Sequence, residues 1–251
     1  MLIIAAIACS YILAVLIVVR AVEGRFVSEF PLVYSYLIFL LVTSTIINIA
    51  DVLGSRFFLT IFWLRFFTLV VAEFALLLEI GDHIFRPYPA IRQLGRLITL
   101  GITLVFSALF ILPSLWETRP SNVAILDLMK RSALTKGVII VALVAVARYC
   151  GIRLGRNVTG LIVGLATYLG IHTANFAIAE SYRGELYGPI FSAVGTLNQT
   201  LCLLIWTVAL WRLEPVLAPI QAIAASSGGI SEPLPDRLGR LNTTLGRFFR
   251  K

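Results

Sequence analysis

The chain of 251 residues is 59% hydrophobic and only 14% charged, with a mean hydropathy of +0.94. Soluble chains keep about a quarter of their residues charged, so a water-soluble globular domain is excluded and lipid is the solvent that can hide this surface. The net charge of +8 is spread between apolar blocks and is not gathered into a basic patch with stacking aromatics, which argues against nucleic acid as a partner.

A bilayer-crossing helix needs ~20 mostly apolar residues. The stretches 2–19, 31–50, 57–80, 97–116, one ending at 147, 158–179 and 188–211 meet that demand, and they predict an all-α membrane protein built as a bundle of seven transmembrane helices. No basic residue precedes the first stretch and no small-residue cleavage site follows it, so it is expected as a retained helix and not a signal peptide. The second ends on Asn48 and Asp51. The third carries Arg65 and Glu73 and leaves the apolar layer through Glu79, Asp82 and His83. An interfacial turn over 86–96 leads into the fourth. The fifth has a clean apolar run only over 137–147, and it reaches spanning length if Asp127, Lys130, Arg131 and Lys136 ride on the same helix.

The sixth stretch holds a Gly160-x-x-x-Gly164 pair, then His172 and Asn175. Small residues at that spacing let helices approach closely, and packing within the chain is favoured over dimerisation. The seventh carries Asn198 and no lysine, which rules out a retinal Schiff base. Residues 1–212 thus form the membrane domain, 213–235 a flexible linker, and 236–251 a basic tail. In that tail Leu238, Leu241, Leu245, Phe248 and Phe249 recur at helical spacing among Arg237, Arg240, Arg247 and Lys251. Such a helix suits anionic lipid headgroups; a disordered basic tail is the alternative.

Orientation follows from arginine and lysine in the short loops. The tail side collects 14 of them against three to six on the other, so the C-terminus is expected in the cytoplasm and the N-terminus outside, in the cytoplasmic (inner) membrane of a bacterium.

Charges inside a span cost roughly 2.5–3.5 kcal/mol each on insertion scales, so they turn towards the bundle interior. At ~1.5 Å of rise per residue, Arg65, His172, Asn175, Asn198 and Lys136 fall within one layer in the outer half of the membrane. These five are the candidate contacts for a small anionic ligand. Arg65 and Glu73 stand ~12 Å apart along one helix and cannot pair. Partners are expected from other helices: Asp127 or Asp51 for Arg65, and Lys136 for Glu73. Two readings stay open, interhelical locks that fix packing or a ligand or ion pathway.

Other chemistries find no support. Glu79 and His83 are one turn apart, but no second helix offers ligands at that depth, so no metal is expected and the cluster reads as a solvated helix end. His83 and His172 lie ~25 Å apart along the membrane normal and cannot share a haem iron; no cofactor is expected. Cys9, Cys150 and Cys202 are isolated, odd in number and without metal-ligand spacing, so they read as small buried hydrophobes. No hydrolase, P-loop or metalloprotease motif appears, and no nucleophile–base pair is nominated.

The run AEFALLLEIGDHIFRPYPAIRQLGR over 72–96 and the motif WRLEP over 211–215 are similar to stretches of bacterial seven-span integral membrane proteins of no assigned activity. That resemblance implies topology and transfers no function. The expected role is therefore a non-enzymatic membrane protein that senses or transports a small anion through a polar pocket. The alternative is an accessory or scaffold subunit with a membrane partner protein, and an intramembrane enzyme is the least favoured.

Overall fold

A computed structural model of the chain describes residues 2–24, 26–52, 58–86, 121–149, 152, 154–181 and 187–212, with isolated positions between 93 and 108. The described residues are helical and contain no strand. Helix α1 spans Leu2–Glu23 and a 3-10 turn covers Phe26–Ser28. Helices α2 (Pro31–Val52), α3 (Phe58–Phe85), α4 (Ser121–Tyr149), α5 (Arg156–Ser181) and α6 (Tyr187–Leu210) follow. All six are long and apolar enough to cross a membrane. Asp127, Lys130, Arg131 and Lys136 do share one helix, the condition for the polar-headed stretch to span.

Helices dominate because lipid offers the backbone no hydrogen bonds, so each segment must satisfy its own. Threonine hydroxyls meet the same demand locally. Thr43, Thr68, Thr135, Thr196 and Thr207 each donate to the carbonyl four residues earlier, at 2.7–2.9 Å. The lipid-facing surface is correspondingly apolar, with Ile4, Leu64 and Val141 each about 70% exposed.

Helix order closes into a ring: each helix packs on its neighbour in sequence, α6 also packs on α1, and α3 touches α5 across the interior. Side-chain contacts give the directions. Gly160 lies against Ala209 and Gly164 against Trp206, while Asn175 donates to the Phe191 carbonyl, so α5 and α6 are antiparallel. Their glycines let the backbones approach within the chain. Ser10 bonds Thr200 at 2.7 Å and Arg20 lies over Trp211, so α1 and α6 are parallel. Glu73 meets Lys136, and a Cβ added at Gly81 would meet Thr99 and Leu143, so α3 and α4 run the same way. The stretch 97–116 and the tail 213–251 lie largely or wholly outside the described residues.

The start of α2 shows how one charge is used structurally. Leu32 and Val33 N–H groups, which have no acceptor within their own helix, donate to the two Glu79 carboxylate oxygens at 3.0 and 2.9 Å. A carboxylate at a helix N-terminus also meets the positive end of the helix dipole. Glu79 is only 7% exposed, which corrects the expectation of a solvated helix end: a neighbouring helix start gives the carboxylate donors that water would otherwise supply.

Candidate functional site

On α3 the residues Phe62, Arg65, Phe66, Leu69, Val70 and Glu73 recur every three or four positions and therefore share one face. Met129, Ser132, Ala133 and Lys136 do the same on α4, and Tyr168, Leu169 and His172 on α5. These three faces line a cavity of ≈ 180 Å³. Arg65, Lys136 and His172, three of the five expected ligand contacts, are thus brought together.

Within it, Lys136 donates to Glu73, and both are buried. The Tyr36 hydroxyl approaches the other Glu73 oxygen from α2 at 3.5 Å. The lysine is therefore already neutralised. Lys136 also lies 5.9 Å from the Phe74 ring centroid. His172 stacks on Tyr168 at 5.3 Å and meets the edge of Phe176 at 4.4 Å, which fixes the plane of its ring.

Arg65 differs. Its guanidinium donates to Ser44 on α2 at 3.0 Å, and no carboxylate pairs with it among the described residues. Asp127, expected to reach another helix, pairs instead with Arg131 at 2.8 Å on its own helix. The physical reason is proximity: a cation one turn along is within reach without any helix having to be aimed. The side chain of Asp51, the other acid expected near Arg65, lies outside the described residues.

Asn175 and Asn198 do not line this cavity. Asn198 donates to the Tyr168 carbonyl at 2.7 Å and Asn175 to the Phe191 carbonyl at 3.0 Å. Both are buried and clamp α5 to α6. An amide beside a neighbouring helix finds a backbone acceptor there, and the structure brings these two residues to the α5–α6 seam.

A second cavity, of ≈ 320 Å³, opens among α1, α2 and α6 towards the end of the bundle that carries Leu2. It is lined by Ser10, Tyr11, Ser44, Asn48, Ser192, Thr196 and Gln199 among apolar side chains, and by Arg65. Arg65 borders both cavities and is the one charged residue in this second lining. Tyr36, Ser44, Ser132 and Tyr168 were not among the expected contacts. Ser132 carried a signal, since it precedes Lys136 by one helical turn; Tyr36 and Ser44 become neighbours only through helix order.

A third cavity, ≈ 520 Å³, lies at the opposite end beside Glu79, Asp82, His83, Glu29 and Arg86. Arg86 pairs with Glu29 at 2.8 Å, and His83 stacks on Phe30 at 4.2 Å. No group of three or more histidine, cysteine or acidic residues able to hold a metal ion is found among the described residues. Comparison with family models, with curated proteins and with solved structures returned no match.

Proposed function

We propose that this chain is a non-enzymatic polytopic membrane protein that recognises a small anionic ligand at Arg65, in a polar pocket in the outer half of the bilayer, for sensing or transport. One observation carries it. Arg65 lies between two cavities, bonded to a serine and unpaired with any described acid, whereas an intramembrane cation kept only for packing would be expected to hold a carboxylate.

The proposal includes seven spans, the N-terminus outside and the C-terminus in the cytoplasm of a bacterial cell. The parallel course of α3 and α4 favours this. Consecutive helices that run the same way need a crossing between them, and 97–116 is apolar enough to supply it. The loop-charge bias sets the sign. In this orientation the second cavity faces outwards. The tail over 236–251 would rest on anionic headgroups.

The test is chemical access. In a background with Cys9→Ser, Cys150→Ala and Cys202→Ala, the substitution Arg65→Cys should react with a membrane-impermeant anionic thiosulfonate added outside intact cells. A cysteine there that reacts only after the bundle is denatured would defeat the pocket.

A second reading is an accessory or scaffold subunit. The Glu73–Lys136 pair and the Asn175 and Asn198 clamps favour it, since each ties one helix to another. A stoichiometric protein partner after mild detergent extraction would support the scaffold, and a lone monomer the pocket.

A further inference from the structure

Arg65 is held from the side of the second cavity. Ser44 lines that cavity and does not line the first, and its oxygen accepts from Arg65 Nη2 at 3.0 Å. The terminal end of the guanidinium therefore stands at the wall of the second cavity. Arg65 Nε is closed off without a partner, whereas Nη1 bonds no described residue and is not closed off, so it can reach an occupant. Ser10, Ala14 and Leu40 line the same space and are buried. The cavity thus penetrates the bundle and is not a groove on its lipid face.

Charge, hydrogen bonding and size describe that occupant. Arg65 is the one charged side chain in the lining among the described residues. One negative charge balances it, and a second would sit unpaired in a low-dielectric site, which is costly. The planar guanidinium suits a carboxylate. Around it stand neutral groups of both kinds. The Tyr11 oxygen accepts from Asn48 at 3.3 Å, and its own proton is given to no described residue, which leaves a donor. The Thr196 hydroxyl gives its proton to the Ser192 carbonyl at 2.9 Å, which leaves an acceptor. The Gln199 amide bonds no described residue and neither of its polar atoms is closed off, so it offers both. A sulfate or nitrate ion has no proton for these acceptors, whereas a ligand that bears hydroxyls satisfies donors and acceptors together. A volume of ≈ 320 Å³ is roughly twice the ~150 Å³ that admits benzene, so about twelve or thirteen non-hydrogen atoms fit.

We propose that the second cavity seats a polyhydroxylated monocarboxylate of the sugar-acid class, its carboxylate on Arg65 and its hydroxyls among Tyr11, Thr196 and Gln199. The proposal rests on the anion reading above and names the ligand class and the cavity that takes it. Such a group comes from two sources, a free sugar acid in water or the uronate headgroup of a glycolipid. The cavity lies towards the end of the bundle and is walled by buried residues, which favours the free acid.

The test is binding of sodium gluconate to the full-length protein in phosphatidylcholine nanodiscs, by calorimetry, with sorbitol, sodium hexanoate and sodium sulfate in parallel. Gluconate should bind. Sorbitol keeps the hydroxyls without the charge and hexanoate keeps the charge without the hydroxyls, and each should bind about tenfold or more weaker. Arg65→Gln should weaken gluconate roughly 10- to 100-fold, since a charge-assisted pair is lost. Tyr11→Phe and Gln199→Ala should each weaken it roughly 3- to 10-fold. Gln199→Ala breaks no bond between described residues, so it reads the seat without disturbing the fold. Gluconate binding that needs Arg65 but ignores Tyr11→Phe and Gln199→Ala would overturn the seat and leave the anion reading standing. Hexanoate or sulfate binding as tightly as gluconate, through Arg65, would overturn the hydroxylated class and leave that reading standing too. Glucuronosyl diacylglycerol in the nanodisc should leave gluconate affinity unchanged, and competition from it would overturn the free acid as occupant. Sorbitol binding as tightly as gluconate, or no anion binding at all, would overturn both the proposal and the anion reading.

Discussion

Replacing Lys136 by leucine strands the Glu73 carboxylate in the bundle interior, where it keeps the Tyr36 hydroxyl at 3.5 Å but no cationic partner in a salt bridge among the described residues. The two side chains are 5% and 10% exposed, so water gives little help. Breaking such a buried pair from one side costs ~3–5 kcal/mol, whereas removing both charges is neutral or stabilising by ~1–4 kcal/mol. Lys136→Leu should therefore lower the melting temperature markedly, and Lys136→Leu/Glu73→Leu should restore it to wild type or above. Arg65→Leu should behave differently. It loses one charged hydrogen bond, ~1.5–3 kcal/mol, and relieves ~2.5–3.5 kcal/mol of intramembrane charge, leaving stability within about 2 kcal/mol of wild type. Thermal unfolding in detergent, followed by helical circular dichroism, reads all four proteins. If Arg65→Leu is as damaged as Lys136→Leu, then Arg65 is a lock with an acidic partner and the pocket reasoning is wrong. A double mutant no better than Lys136→Leu would refute the pairing.

Two further predictions concern packing. Gly160→Val places methyl groups where Ala209 already sits, and overpacking of this kind typically costs ~1–3 kcal/mol; melting should fall, with Gly170→Ala, whose added Cβ meets nothing within 4 Å, as the neutral control. Glu79→Leu removes the acceptor for both Leu32 and Val33 N–H groups and should destabilise by up to ~2 kcal/mol, with Glu79→Gln milder because one acceptor oxygen survives; equal loss from both would mean that the cap contributes nothing.

Six of the seven expected spans stand as helices among the described residues, and they were legible because lipid imposes a length and a composition that few other structures share. Rise per residue is fixed, so levels along the helices could be compared, and Arg65, Lys136 and His172 border one cavity. What hydropathy could not supply was which helix stands beside which. Asp127 looked like an interhelical partner at the right depth, yet Arg131 is one turn away on the same helix. Asn175 and Asn198 each meet a carbonyl that α5–α6 contact brings near, a neighbour that depth alone does not reveal. Glu73 and Lys136 were matched at sequence level because two opposite charges in apolar surroundings have few alternatives. Glu79 was read as solvated because a backbone donor on another helix leaves no trace in the residues around it.

The most direct measurement is equilibrium binding of a panel of small anions (chloride, nitrate, sulfate, phosphate and gluconate) to the nanodisc-embedded protein, wild type against Arg65→Gln, by calorimetry. Recognition of an anion at Arg65 predicts that at least one member binds wild type and loses roughly tenfold or more in affinity in the variant. Binding that is identical in the two proteins, or absent from both, would contradict it.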